Sequence, residues 1–106
     1  MQFVAIYVTC KDTKQASYIA RKIVEERLAA CGNVLGPIES HYWWEGKLEQ
    51  STEVSLLLKT RDSLTQKVID RVKELHSYDV PCVIAFSIVD GNPDFLKWIE
   101  SETLSS

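Results

Sequence analysis

Hydrophobic and polar residues alternate regularly in the middle of the chain, between residues 47 and 60. A period of two is typical of a β-strand that buries one face. The face predicted to be buried comprises Leu48, Thr52, Val54, Leu56 and Leu58. The face predicted to be polar comprises Glu49, Ser51, Glu53, Ser55 and Lys59. Gly46 predicts a tight turn and the aromatic run before it predicts a strand, so residues 40–60 are expected to form a long β-hairpin.

The length of this hairpin indicates an oligomer. Its second arm would extend about 45 Å at roughly 3.3 Å per residue, whereas a compact chain of this size has a diameter of only about 34 Å. An overhanging strand leaves backbone N–H and C=O groups unpaired and an apolar face uncovered. We therefore expect another subunit to cover it, because large aromatic residues near such a hairpin are typical interface anchors. The expected interface residues are Tyr42, Trp43, Trp44, Lys47, Glu53 and Trp98.

Two further strands are predicted outside the hairpin, and a third extended segment leads into its first arm. Residues 3–10 are apolar on both faces, as in a strand at the centre of a sheet, and residues 82–89 also predict a strand. Residues 34–38 are extended as well, but Gly36 and Pro37 predict a bend or bulge that leads into the hairpin. The chain is therefore expected to contribute four strands to one sheet.

Apolar residues at helical spacing predict two long helices. The first begins after Asp12, which can cap it, with Gln15 at the reciprocal capping-box position, and is expected to end at Gly32. The second is expected to begin at Ser63, with Gln66 as its capping partner. Its predicted buried stripe comprises Leu64, Val68, Val72 and Leu75.

A short third helix is predicted after Asn92, with Pro93 at its first position, and the tail from residue 101 to 106 is expected to be frayed. The element order is then β-α-β-β-α-β with an added helix, the ferredoxin-like α+β arrangement. Right-handed crossovers place both long helices on one face of a four-stranded antiparallel sheet. The other face stays uncovered although its strands carry apolar residues, which again indicates a partner.

The composition fits one globular domain over residues 1–106. Of these residues 45% are hydrophobic and 25% are charged, and the net charge is −3 without any run of lysine and arginine, so no nucleic-acid partner is expected. No apolar run approaches the roughly 20 residues that cross a membrane, and no targeting segment is apparent, so no membrane partner is expected. Three widely spaced cysteines do not predict disulfides and favour the cytoplasm.

The predicted topology brings chemically reactive residues to one end of the sheet. Cys10, His76, Tyr78 and Cys82 would meet there, with Cys31 at the opposite end. Thiolates and an imidazole are suited to Cu(I) or Zn(II), so His76 and Cys82 are candidate metal ligands. The alternatives are buried, inert thiols and a histidine that only closes a helix end. No CxxC or HxH spacing decides between these interpretations.

Enzymatic activity is not expected. An acid–base site would need the hairpin charges Glu45, Lys47, Glu49, Glu53 and Lys59. Alternating strand positions favour instead a solvated face or ion pairs between subunits. The tryptophans could stack a flat ligand, but an interface role is favoured, and no nucleophile–base pair or glycine-rich phosphate loop is present in the sequence. Acylphosphatases share the topology, yet residues 9–13 lack the arginine of their phosphate-binding loop.

A set of short motifs resembles one known family along nearly the whole chain. The motifs are the run AACGN at residues 29–33, the pattern S-x-Y-x-W-x-G-K at 40–47, Glu53, Lys59–Thr60, His76-x-Tyr78 and Pro81. With these spacings the chain closely resembles the CutA divalent-cation-tolerance family. The resemblance implies a ferredoxin-like domain in a tight homotrimer whose hairpins wrap between subunits. It also implies similarity to the trimeric PII signalling proteins, which bind small ligands between subunits.

The resemblance implies a role in the response to divalent metal ions, with copper or another divalent cation as the expected ligand and no required cofactor. Some members have copper ligands at the positions of Val8, Leu75 and His76, so only His76 is retained here. Cys82 replaces an acidic residue of many members and is the second candidate ligand. The alternative function is a PII-like signalling or scaffold trimer that binds a protein or a small anionic metabolite, with positive charge from Lys47, Lys59 and Arg61.

Overall fold

The computed structural model describes residues 2–105 as an α+β fold. Its strands and helices are β1 (Phe3–Cys10), α1 (Thr13–Glu25), β2 (Cys31–Trp44), β3 (Lys47–Arg61), α2 (Thr65–Leu75), β4 (Val83–Ile88) and α3 (Pro93–Glu102). The four strands form one antiparallel sheet in the order β2-β3-β1-β4. The predicted ferredoxin-like fold with an added C-terminal helix is therefore confirmed.

β2 and β3 form the long hairpin, which extends beyond the rest of the sheet. The turn at residues 45–46 has φ angles of 51° and 79°, as in the type I′ turns that suit two-residue hairpins, and the predicted bulge lies between Val34 and Gly36. Within β3, only residues 54–61 pair with β1. The first half of β3 therefore extends beyond β1, and the expected overhang is confirmed. The alternation predicts a buried Leu48 and Thr52, but both are exposed, because they lie in the overhang, away from the helices.

Helices α1 and α2 pack on one face of the sheet and leave the other face open. The covered face carries Val4, Ile6, Val8, Leu56 and Leu58, all at most 6% exposed. The open face carries Ala5, Tyr7, Leu57, Ile84 and Phe86. Ile84 is 47% exposed and Phe86 is 54% exposed. The expectation of an apolar face that the chain itself does not cover is confirmed.

Helix α1 ends at Glu25, seven residues before the predicted stop at Gly32. Arg27 adopts a positive φ of 58°, and the N–H of Leu28 bonds to the carbonyl of Ile23 in a Schellman motif. The prediction was wrong because this helix end uses arginine where glycine is usual. Gly32 lies instead in β2, where an added Cβ would come within 3.1 Å of the Ala20 Cβ, so its small size serves helix–strand packing.

The predicted cap of α2 at Ser63 is also wrong. Residues 62–64 form a 3₁₀ turn, α2 begins at Thr65, and no side chain caps it. The side chain of Gln66 donates to Asp70 rather than back to Ser63. The preceding turn supplies the first hydrogen bonds of this helix, so a side-chain cap is not required. The predicted stripe is nevertheless correct, since Leu64, Val68 and Val72 are fully buried and Leu75 is partly buried against the same core.

The end of the chain is held in place as far as Leu104, although the sequence predicts a frayed tail from residue 101 to 106, of which residue 106 lies outside the described residues. Helix α3 begins after Asn92 as predicted and continues to Glu102. The buried Thr103 accepts a hydrogen bond of 2.9 Å from Nε of Arg61, and the N–H of Leu104 bonds to the carbonyl of Arg27. These two contacts attach the C-terminal segment to β3 and to the end of α1, which the sequence pattern does not reveal.

Candidate functional site

His76 connects the loop after α2 to the end of β1. Its Nε2 lies 2.7 Å from the carbonyl oxygen of Thr9, and its Nδ1 accepts a 3.1 Å hydrogen bond from the backbone N–H of Tyr78. Because a carbonyl oxygen only accepts, Nε2 carries the proton and the tautomer is fixed. The imidazole is buried and lies 4.6 Å from the Tyr78 ring, centroid to centroid. Both ring nitrogens are therefore engaged within the fold.

Glu53 lies on β3 beneath this loop. Its Oε2 accepts a 2.9 Å hydrogen bond from the hydroxyl of Tyr78, and the residue is only 7% exposed. Glu53 therefore does not lie on a solvated face, because the loop after α2 brings Tyr78 over the strand. The other interpretation, an ion pair between subunits, stays a prediction. Burial, together with the hydrogen bond to the nearby carboxylate, raises the pKa of Tyr78 well above its ordinary value.

The three cysteines are free and do not form one cluster. Cys10 is fully buried in the core on the covered face, where burial, and after it the nearby carboxylates, raise its thiol pKa to about 11. Cys82 lies beside the open face, where its carbonyl accepts a hydrogen bond from the N–H of Thr9. Cys31 pairs with Lys59 at the far end of the sheet, as predicted. The meeting of Cys10 with Cys82 is not observed, since the sheet separates the two thiols.

The donors at this end of the sheet do not fit a metal centre within one chain. Among residues 2–105, no three side chains of histidine, cysteine, aspartate or glutamate are placed to hold a metal ion. The imidazole of His76 has no free nitrogen in this conformation, so a metal would have to displace Thr9 or Tyr78 from the ring. The assignment of His76 and Cys82 as metal ligands therefore stays a prediction.

A cavity of about 690 Å³ opens beside these residues, between the hairpin and the loop after α2. Its lining includes the aromatic Tyr42, Trp44 and Tyr78, the acidic Glu39 and Glu53, and Cys82. No lysine or arginine of the described residues lines it. His41, the only basic residue in the lining, lies 2.7 Å from Oε2 of Glu39. The cavity is therefore lined by two acidic residues and by aromatic side chains.

The residues predicted at an oligomer interface lie in different places. Tyr42 and Trp44 line the cavity, whereas Trp43 is on the opposite face of the hairpin and is 73% exposed. Lys47 is exposed beside the turn. Trp98 is on α3, at the other end of the molecule, and is 40% exposed. All five of these side chains are accessible to a partner, and their role in an interface stays a prediction.

Sequence reasoning did not identify Glu39 and His41 as site residues. The strict alternation of β2 puts both on the face opposite Tyr42 and Trp44, so a period of two would not join them to the same cavity. The spacing of the two residues is the only signal in the sequence, because side chains two apart on a strand share a face. That spacing permits their 2.7 Å contact but does not predict a cavity beside it.

The sheet order, the two helices on one face and the long hairpin define a ferredoxin-like α+β protein. The family model described as CutA1 divalent ion tolerance protein matches residues 4–102. The chain therefore belongs to the CutA1 divalent ion tolerance family. The resemblance drawn from the sequence motifs is confirmed.

Three relatives show how far the similarity extends. The divalent-cation tolerance protein CutA of Pyrococcus horikoshii is 43% identical over 100 residues, which are 94% of this chain and 97% of that protein. The crystal structure of CutA1 from Oryza sativa has a TM-score of 0.96 at 42% identity and covers 100% of this chain and 97% of its own. The periplasmic divalent cation tolerance protein CutA from Archaeoglobus fulgidus has a TM-score of 0.91 at 42% identity, covering 94% of this chain and 97% of its own.

The family description names tolerance to divalent ions and does not name a reaction. Among residues 2–105, no helix is both long and apolar enough to cross a membrane. Divalent-cation tolerance is named by the family description and by the Pyrococcus and Archaeoglobus relatives, and it sets the starting point for a proposal about this chain.

Proposed function

We propose that this protein is a homotrimer that acts in the response to divalent metal ions and has no enzymatic activity. The observation that supports assembly best is the open face, on which Ile84 and Phe86 remain about half exposed beside Tyr7 and Leu57. Contiguous exposed apolar surface of this kind marks a protein contact. The overhanging part of the hairpin is paired only within itself, so it is free to reach a neighbouring subunit.

The assembly is tested by the molar mass in solution. Light scattering coupled to size-exclusion chromatography should give a molar mass three times the 12.1 kDa of one chain. The urea midpoint of unfolding should rise with protein concentration, because association stabilises only the folded chain. A mass of one or two chains, with a midpoint that does not depend on concentration, would contradict the trimer.

The role in the response to metal ions is supported by the family and by the name of the Pyrococcus relative. The test is growth of a strain in which the gene is deleted, on graded copper, zinc and cadmium, with and without a plasmid that restores the gene. We expect reduced growth at high metal that the plasmid reverses. Equal growth of the two strains at every metal concentration would contradict this role.

Copper binding at His76 and Cys82 is proposed to be weak, because the imidazole would first have to give up its hydrogen bonds to Thr9 and Tyr78. Calorimetric titration with Cu(I) and Cu(II) should show lower affinity for His76→Ala and for Cys82→Ser. The matched control for the thiol is Cys31→Ser, which removes the same chemical group at the far end of the sheet. Affinity should also fall at lower pH, since protons compete for both ligands. Unchanged affinity in His76→Ala would remove this site.

Cytoplasmic location is proposed from the three free cysteines, because a reducing compartment keeps thiols unpaired. Fractionation of the cells that make the protein, followed by immunoblotting, should recover it with the cytoplasmic fraction. Recovery in the periplasmic or membrane fraction would contradict this proposal.

A second candidate function is a PII-like trimer that binds a small ligand, and the cavity beside Glu53 favours it. Within one chain, the three cations suggested for an anionic ligand do not converge, so such a site would have to be formed between subunits. Lys47 lies beside the hairpin turn, whereas Lys59 bonds to Asn33 far along the same strand and Arg61 is buried against Thr103. A thermal-shift screen of metabolites and metal ions distinguishes the candidates, because stabilisation by a metabolite but by no metal favours this second one.

A further inference from the structure

We infer that the cavity beside Glu53 binds a small organic cation, in which an ammonium or guanidinium group is attached to an apolar body. This proposal deepens the ligand-binding candidate above and rests on it. The site lies where the hairpin, the end of β1 and the loop after α2 meet, and the cavity of about 690 Å³ has a volume usual for small-molecule sites.

The first observation is a buried carboxylate without a cation. Glu53 is 7% exposed and accepts one hydrogen bond, from the neutral hydroxyl of Tyr78. Among residues 2–105, no lysine, arginine or histidine forms an ion pair with it. A buried charge is costly unless it is paired. A cation supplied by a ligand would complete this pairing, because the carboxylate lines the cavity.

The carboxylate of Glu53 raises the pKa of the two ionisable side chains beside it, Cys10 and Tyr78. After burial, the charge of Glu53 is the next cause that raises the pKa of the Cys10 thiol, and it also contributes to the raised pKa of Tyr78. Both neighbouring groups therefore stay protonated and neutral at physiological pH, and neither adds a charge to the cavity. The negative potential of Glu53 is left for a ligand to neutralise.

The second observation is the sign of the lining as a whole. Glu39 and Glu53 are its acidic residues, and neither lysine nor arginine is found in it within the described chain. The imidazole of His41 is already held by Glu39 at 2.7 Å. A cavity lined by one sign of charge attracts the opposite ion and repels the same one. An anionic metabolite is thus disfavoured at this site and a cation is favoured.

The third observation is the apolar and aromatic character of the walls. Tyr42, Trp44 and Val80 line the cavity and keep 41%, 45% and 71% of their surface exposed. The π-faces of tyrosine and tryptophan attract cations, and exposed apolar walls favour a ligand with an apolar body. The absence of a three-donor metal cluster among residues 2–105 favours an organic cation over a metal ion here.

The test compares three ligands of the same shape and different charge by calorimetric titration: benzylamine, benzyl alcohol and benzoate. We expect saturable binding of benzylamine, at least tenfold weaker binding of the neutral alcohol, and no binding of benzoate. Glu53→Gln keeps the size of the side chain and removes the charge, so it should weaken benzylamine at least tenfold. The matched control is Glu74→Gln, which removes one carboxylate from the exposed surface of α2 and should leave the affinity unchanged.

The light-scattering mass and thermal unfolding of each variant are measured in parallel, so that the site and the trimer are judged separately. Val80→Ser provides a second variant should Glu53→Gln fold poorly. It removes an apolar wall of the cavity at a position outside the predicted interface, so it should weaken benzylamine without changing the mass. An intact trimer that binds none of the three ligands overturns the inference and leaves the assembly standing. Dissociation of the trimer by Glu53→Gln also overturns it, since the cation would then belong to a neighbouring copy. A monomer that binds benzylamine supports the site and contradicts the trimer.

Discussion

The two faces of the sheet both carry apolar side chains but differ in what covers them. On the covered face Leu56 and Leu58 are fully buried beneath the chain's own helices. On the open face Leu57 is partly exposed and Phe86 is 54% exposed. The chain therefore covers one face of the sheet with its own helices, whereas the apolar side chains of the other face can be covered only by a partner. Stability should therefore depend mainly on the first face, and assembly on the second.

The adjacent residues Leu56 and Leu57 compare the two faces on a single strand. Leu56→Ala should lower the free energy of unfolding by about 2–5 kcal/mol, because it leaves a cavity in a fully packed core. Leu57→Ala should cost clearly less in dilute solution, since its side chain is only partly buried. Urea unfolding at two protein concentrations measures both, and equal losses under dilute conditions would contradict the contrast between the faces.

A charge placed on the open face should act on assembly and leave the fold intact. Phe86→Glu should reduce the molar mass from three chains to one, because a carboxylate would be buried without a partner in the contact. Circular dichroism should be unchanged. Val89→Glu is the control, since Val89 lies beyond the end of β4 and is 94% exposed. A trimer that persists in Phe86→Glu would show that assembly does not use this face.

The C-terminal segment provides a smaller effect at the end of the open face, where Arg61 lies opposite Phe3. Thr103→Val removes the hydroxyl that accepts from Arg61 and should destabilise the protein by about 1–3 kcal/mol, the usual cost of leaving a buried polar group unpaired. Ser101→Ala removes an exposed hydroxyl that bonds to the carbonyl of Trp98 and should change stability by less than about 0.5 kcal/mol. Thermal unfolding of both variants decides whether the tail is held by this bond.

Alkaline pH should distinguish a thiol on the covered face from one on the open face. Burial raises the pKa of Cys10 from about 9.0 to about 11, so between these pH values the unfolded chain binds fewer protons than the folded one. Stability should accordingly fall as pH rises from 9 to 11. Urea unfolding over this range should show a shallower fall for Cys10→Ala, while Cys31→Ala keeps the slope of the unaltered protein. Equal slopes in both variants would contradict the assignment.

Parts of the fold governed by local chemistry could be predicted from the sequence. Gly46 at the turn and Gly36 at the bulge identify the hairpin, because positive φ angles favour glycine. The end of α1 could not be predicted, since Arg27 takes the positive φ that a glycine signal would have marked. Gly32 was misinterpreted for the converse reason. Glycine is needed there because Ala20 lies too close to allow a larger side chain, and not because the backbone has a positive φ.

The site was predicted less well than the fold, because it depends on contacts between distant segments. The alternation assigns Glu53 correctly to the face opposite the helices, but its burial depends on Tyr78, which approaches from a loop 25 residues later. The topology brings His76 close to β1 as expected, yet only the structure shows that both ring nitrogens are engaged. Periodicity specifies the face of a strand, while partners across the chain must be observed.

The central position of β1 in the sheet has a consequence for the synthesis of the chain. Of the four strands, Phe3–Cys10 leaves the ribosome first, but its partners are residues 54–61 and 83–88. At a synthesis rate of about 5–20 residues per second, this apolar strand waits about 4–16 s before its second neighbour exists. During that interval the β2–β3 hairpin can close by itself, because all of its pairs are local. The first of the four strands to be made is thus among the last to be fully paired, so a chaperone that binds apolar nascent segments is expected to bind this strand.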